Sequence, residues 1–129
     1  MAVIDSADGL FEIVNNTVTI KQAIDSKNSI IAYMADWCNP CVRTVRNFEI
    51  DAHMSNRLPE QLSQRNLRLL YVDAENPDLM SPPWHRVGRV PTFYAHIKER
   101  RQIGKYEGAL TANKFIELME LWYGPIIQP

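Results

Sequence analysis

Two cysteines, Cys38 and Cys41, stand three positions apart in the stretch Trp37-Cys38-Asn39-Pro40-Cys41. Cysteines at that spacing can close a small disulfide ring if they straddle the start of a helix. Pro40 suits such a placement, because the first turn of a helix needs no N–H from it and its fixed φ is already helical. Cys38 then lies at the helix N-terminus, where unpaired N–H groups and the helix dipole favour a thiolate over a thiol. Cys41, one turn inward, lies within reach of that sulfur. The pattern is that of a nucleophile and a resolving thiol in one short loop.

Two plainer readings compete. Half of a zinc site would need two more ligands, and the histidines His53, His85 and His96 show no His-x₃₋₅-His spacing. A pair of buried structural thiols is disfavoured by Asn39-Pro40, a turn sequence expected to expose the pair. The apolar run before the motif also delivers Cys38 to the carboxyl end of a strand, where α/β folds place their sites.

The rest of the chain bounds what the motif can belong to. Its 129 residues predict a single domain spanning 1–129. A chain of this length removes about two-thirds of its unfolded surface from water and can hold a core unaided. Lys plus Arg is 14 and Asp plus Glu is 15, a net charge of −1. That balance offers neither an electrostatic footprint for nucleic acid nor a polybasic membrane patch. With only 2 cysteines, the chain is not a disulfide-stapled secreted scaffold. The N-terminal MAVIDSADGLFEIV has Asp5, Asp8 and Glu12 where a signal peptide needs basic and then apolar residues. No apolar run approaches the ~20 residues of a membrane span. A cytoplasmic protein is expected.

Strand-like and helix-like segments alternate, which predicts an α/β layer architecture. LFEIV (Leu10 to Val14) reads as a short edge strand. Asn15-Asn16-Thr17 is a turn and cap signal, with Ile20, Ala23 and Ile24 at helical spacing behind it. Ile30 to Ala35 is a continuous apolar run, the mark of a strand buried on both faces. After Cys41, the positions Val42, Val45, Phe48 and Ala52 predict a long amphipathic helix. Pro59 is expected to open a short second helix, and Leu67 to Val72 another strand ended by Asp73. Asn76-Pro77 starts a turn and short helix that Ser81-Pro82-Pro83 closes. Thr92 to Ile97 predicts a strand, paired with Ile103 to Glu107 across a charged turn. Phe115, Leu118, Met119 and Trp122 predict a final helix capped by Thr111.

The stretch from Ile30 to Cys41 resembles the active-site strand and loop of the thioredoxin family. Tyr71-Val72-Asp73 with Asn76-Pro77 resembles that family's central strand and following turn. Val90-Pro91-Thr92-Phe93 resembles its cis-proline segment, and Gly108-Ala109-Leu110-Thr111 the glycine turn before its last helix. The likeness runs over roughly residues 10 to 123. It implies a thioredoxin fold, a central mixed sheet with helices on both faces, and thiol–disulfide exchange as the activity. It further implies Cys38 as nucleophile, Cys41 as resolving thiol and the two as a redox-active disulfide. Trp37 would cover the site, while Val90 and Pro91 bind an extended substrate segment. The cycle so implied needs no metal or organic cofactor. Its partners would be protein disulfides and a thioredoxin-reductase-like flavoprotein.

Departures from the family's pattern matter equally. The buried Asp expected six residues before the first cysteine is Ala32, and the Lys that accompanies it is Leu69. Losing both is self-consistent, since a lone buried charge is costly. Asn-Pro replaces the usual Gly-Pro between the cysteines, Met34 stands where a Trp is common, and the segment between Cys41 and Pro91 is a few residues longer. Without Asp at 32, Asp36 and Asp73 are the candidate bases. Asp36 is expected to face solvent, and Asp73 to act as a hydrogen-bond partner near Trp37. Arg43 and Arg46 read as a solvated helix face, and Lys98 to Arg101 as a solubilising hairpin tip. Trp84-His85-Arg86 could touch a substrate, Trp122-Tyr123 reads as packing, and His53 and His96 receive no role. The same departures support an alternative function, an adaptor module that binds partners through this groove without turnover.

Overall fold

The computed structural model describes residues 10–14, 16–76, 87–98 and 101–125. Among them, five strands form one mixed sheet in the order β1-β3-β2-β4-β5. β2 (Ser29–Met34) is flanked by parallel β3 (Arg68–Asp73) and antiparallel β4 (Thr92–Ile97). β1 (Glu12–Ile13) extends the parallel side, and β5 (Arg101–Glu107) the antiparallel side with a register shift at Ala95/His96. Every residue of β2 is buried, as the unbroken apolar run predicts for a central strand. The strand begins one residue before the expected Ile30 and ends at Met34, because Ala35 turns to accept a hydrogen bond from the Cys38 N–H at 3.2 Å. β3 is likewise shifted by one, to include Asp73.

Helix α1 (Thr17–Ser26) is capped by Asn16, which accepts from the Thr19 N–H at 2.8 Å. Its Ile20, Ala23 and Ile24 pack with Ile31, Tyr33, Leu70, Val72 and Tyr94 on one face of the sheet. The other face carries α2 (Asn39–Met54), α3 (Arg57–Gln64) and α4 (Ala112–Tyr123). Phe48 of α2 stacks on Phe115 of α4 at 4.8 Å and on Phe11 at 6.0 Å, so three distant segments share one aromatic column. The indole of Trp122 lies against the backbone of Gly104 in β5, where a Cβ would collide with it. A glycine there is a packing requirement.

Two expectations change. The buried position near the end of α2 is Asp51, with Ala52 only half-buried. Asp51 accepts from the Leu58 N–H and from Arg57 Nε, each at 2.8 Å. That carboxylate caps α3 from the preceding helix, so α3 starts two residues before Pro59. The expected Asn76-Pro77 helix, its Ser81-Pro82-Pro83 end and Trp84-His85-Arg86 lie wholly or mainly outside the described residues, as does part of the Lys98 to Arg101 turn. No helix among the described residues is long and apolar enough to cross a membrane.

The end of the sheet where β2 begins is closed by side chains. The Tyr123 hydroxyl lies 3.1 Å from the Ser29 carbonyl and 2.9 Å from that of His96, so its proton bridges β2 and β4. Asn28 accepts the Lys98 N–H on its side chain at 3.0 Å and the Arg68 N–H on its carbonyl at 3.1 Å.

Candidate active site

At the opposite end, β2 runs through Ala35-Asp36-Trp37 into α2. Cys38 is the N-cap of that helix, and its Sγ accepts the Cys41 N–H at 3.1 Å. The sulfur therefore takes up one of the orphan donors of the first turn, where partial positive charge accumulates. Pro40 occupies that turn, where its missing N–H costs nothing. Cys38 and Cys41 are joined as a disulfide across a Cα–Cα distance of 5.2 Å.

The turn sequence does not expose the pair as expected. Cys38 is 3% accessible and Cys41 is 0%. The cover comes from far along the chain: the Val90 carbonyl oxygen lies 3.5 Å from Cys38 Sγ. A disulfide sulfur has no proton, so this is a packing contact; a thiol at Cys38 would donate to that oxygen. The Val90–Pro91 peptide bond is cis, and Pro91 is buried. Its loop is anchored twice, by Thr92 Oγ1 donating to the Arg89 carbonyl at 2.6 Å and by the Gly108 N–H donating to the Pro91 carbonyl at 2.9 Å. Trp37 is 68% exposed and lines a cavity beside the pair.

Sequence reasoning missed Thr44. Its hydroxyl donates to the Pro40 carbonyl at 2.8 Å and accepts the Leu110 N–H at 3.0 Å, clamping the first turn of α2 to the loop before α4. Asn47 adds a bond to the Leu110 carbonyl at 3.1 Å. Their shared partner Leu110 lies over 60 residues away, and the local pattern holds no signal for it.

Beneath the pair the floor is apolar. Ala32 is fully buried between Tyr71 on β3 and Phe93 on β4, and Leu69 lies in the same cluster. The Tyr71 phenol holds its proton more tightly than usual, first because it is buried and then because Asp36 and Asp73 oppose a further negative charge. It cannot serve as a base near neutral pH. Asp36 faces solvent. Asp73 accepts the Glu75 N–H at 2.9 Å, closing the turn after β3. No group of three or more His, Cys, Asp or Glu side chains among the described residues could hold a metal ion.

This architecture has known counterparts. The thioredoxin family model matches residues 12–121. The chain belongs to the thioredoxin family. Chloroplastic thioredoxin z is 24% identical, with 89% of this chain and 96% of that one covered at a TM-score of 0.66. Oxidised mitochondrial thioredoxin 3 of Saccharomyces cerevisiae is 21% identical, covering 91% and 98% at a TM-score of 0.61. Thioredoxin of Trypanosoma brucei brucei is 20% identical, covering 86% and 89% at a TM-score of 0.66. At such identities the likeness to solved structures speaks for the fold. No curated protein matches the sequence. The thioredoxin fold and the closed Cys38–Cys41 pair support thiol–disulfide oxidoreduction at the level of the family.

Proposed function

We propose that the protein is a cytoplasmic, single-domain dithiol–disulfide oxidoreductase acting on protein disulfides, with Cys38 as nucleophile and Cys41 as resolving thiol. The observation that carries this reading is Cys38 Sγ at the N-cap of α2, accepting the Cys41 N–H and facing the Val90 carbonyl. In the reduced protein a Cys38 thiolate attacks one sulfur of the target disulfide and expels the other as a thiolate. Cys41, once deprotonated, attacks Cys38 and expels the second target thiolate. Two electrons pass to the target, and the protein is left as the Cys38–Cys41 disulfide. A thioredoxin-reductase-like flavoprotein would return the electrons. Trp37 and Val90, which line the cavity, and Pro91 of the cis peptide are assigned to the target segment, which pairs with backbone beside that peptide. The cytoplasmic placement rests on a chain whose only cysteines form one redox pair.

Catalysis of insulin reduction by dithiothreitol tests the reading, with turnover expected for the wild type and none above background for Cys38→Ser. The apolar floor at Ala32 and Leu69 favours the adaptor as a second reading. Partners trapped covalently by Cys41→Ser support the enzyme; partners held equally by wild type and by the Cys38→Ser/Cys41→Ser double variant support the adaptor.

A further inference from the structure

The charges around the groove bear on which disulfides it accepts. Beside Cys38 lies an open cavity of about 210 Å³ whose lining includes Trp37, Ala74, Glu75, Val87, Arg89 and Val90. It is smaller than typical small-molecule sites and fits one or two side chains of a docked segment. Much of its lining is apolar, and its two charged members have opposite signs. Glu75 stands exposed on the turn after β3, while Arg89, 74% exposed, stands on the loop before the cis peptide.

On the β3 side the charge facing the cavity is the Glu75 carboxylate, on the turn that Asp73 closes by accepting the Glu75 N–H at 2.9 Å. The positive pole has charged neighbours of its own. On the β5 side, Glu107 is shared by Arg89 at 3.6 Å and Lys105 at 3.7 Å, leaving one positive charge in excess. Exposed pairs of this kind are worth about 1 kcal/mol or less, so a carboxylate on an incoming chain can compete for Arg89. The Arg89 backbone is held by the Thr92 hydroxyl at 2.6 Å, and the next carbonyl lies 3.5 Å from Cys38 Sγ. A residue flanking a cysteine bound at Cys38 therefore falls within reach of Arg89.

Resting on the exchange reading, we infer that the groove is charge-polarised and that Arg89 determines specificity. It selects disulfides whose reacting cysteine has an acidic neighbour on the Arg89 side and a basic neighbour toward Glu75. The test uses two mixed-disulfide peptides of identical composition, one with the order acid–Cys–base and the other with base–Cys–acid. At low salt the wild type should favour one order about two- to fivefold in kcat/KM, the range expected of one exposed ion pair. The preference should shrink toward unity at about 0.5 M salt, survive in Arg89→Lys and vanish in Arg89→Glu. Equal rates for the two orders in the wild type, or an unchanged preference in Arg89→Glu, overturn the assignment while leaving exchange intact. Failure of the wild type to reduce either peptide overturns the exchange reading and the polarity with it.

Discussion

The two ends of the central sheet are built on opposite plans. Where β2 begins, Tyr123, Asn28 and the strand carbonyls are joined by hydrogen bonds linking β2, β3, β4 and α4. Where β2 ends, a sulfur caps the helix, a carbonyl faces that sulfur instead of a partner strand, and an indole stands in solvent. The first end is satisfied by groups that have no other task. The second keeps its contacts weak enough to exchange, because a sulfur that must leave one partner and join another cannot be held by many bonds. The difference teaches that order and reactivity are separated along β2 by only six residues.

The sharpest way to break this comparison is a crossed pair of variants. Cys38→Ser should abolish catalysed exchange while moving the thermal midpoint of the reduced protein little. Tyr123→Phe should leave exchange unaltered. If Tyr123→Phe slowed exchange as severely as it loosened the fold, the two ends would be one unit.

Ala32→Asp probes the floor between the ends. A carboxylate there can accept the Cys41 proton during resolution, and general-base help is worth about 10²–10⁴-fold, here at the low end because thiols are already acidic. Stopped-flow resolution of a mixed disulfide should therefore quicken in the variant. In the wild type it should rise with pH up to the Cys41 thiol pKa. A wild-type profile that inflects near a carboxylate pKa, and loses that inflection in Asp36→Asn or Asp73→Asn, would show that a base is already present. Burial would raise the new carboxyl's pKa above its unfolded value. Its contribution to stability is then kept at low pH and lost as pH rises, so the variant is least stable at neutral pH and above.

Tyr123→Phe should cost about 1 kcal/mol, the net worth of one hydrogen bond, read as a fall of roughly 3–5 °C in the melting midpoint. The smallest effect concerns alkaline pH. Burial makes the phenols of Tyr33, Tyr71 and Tyr123 bind their protons more tightly than the ordinary value of 10.0. The unfolded chain loses these protons as pH passes about 10 and the folded one keeps them, so stability is unchanged below that pH and falls above it. Tyrosinate absorbance from these three should appear only as far-UV ellipticity is lost. Ionisation of Tyr71 before unfolding, with Tyr123 still silent, would mark the site end as the looser of the two.

Local chemistry was legible in the sequence and distant closure was not. Cys38, Pro40 and the run before them announce a strand, a cap and a helix, because caps and periodicity act over a few residues. Asn16 and Thr111 cap their helices for the same reason. Asp51 reads as an ordinary polar helix residue, since its partners Arg57 and Leu58 come after a turn through Asn56 at φ 53°. The near-zero accessibility of Cys38 was hidden from the local Asn39-Pro40 pattern, although the resemblance to the cis-proline segment implies that Val90-Pro91 lies beside the sulfurs. Gly104 gave no sign that an indole rests on it.

The cover over Cys38 has a consequence for how the molecule is made. Val90 follows Cys38 by 52 residues. A ribosome adding about 5–20 residues per second needs roughly 3–10 s to synthesise that stretch. For that interval each nascent chain carries two thiols without the loop that later shields them. Oxidation or capture by a foreign disulfide is easiest then, so the redox state in which a new molecule starts life is set by the thiol pool around the ribosome.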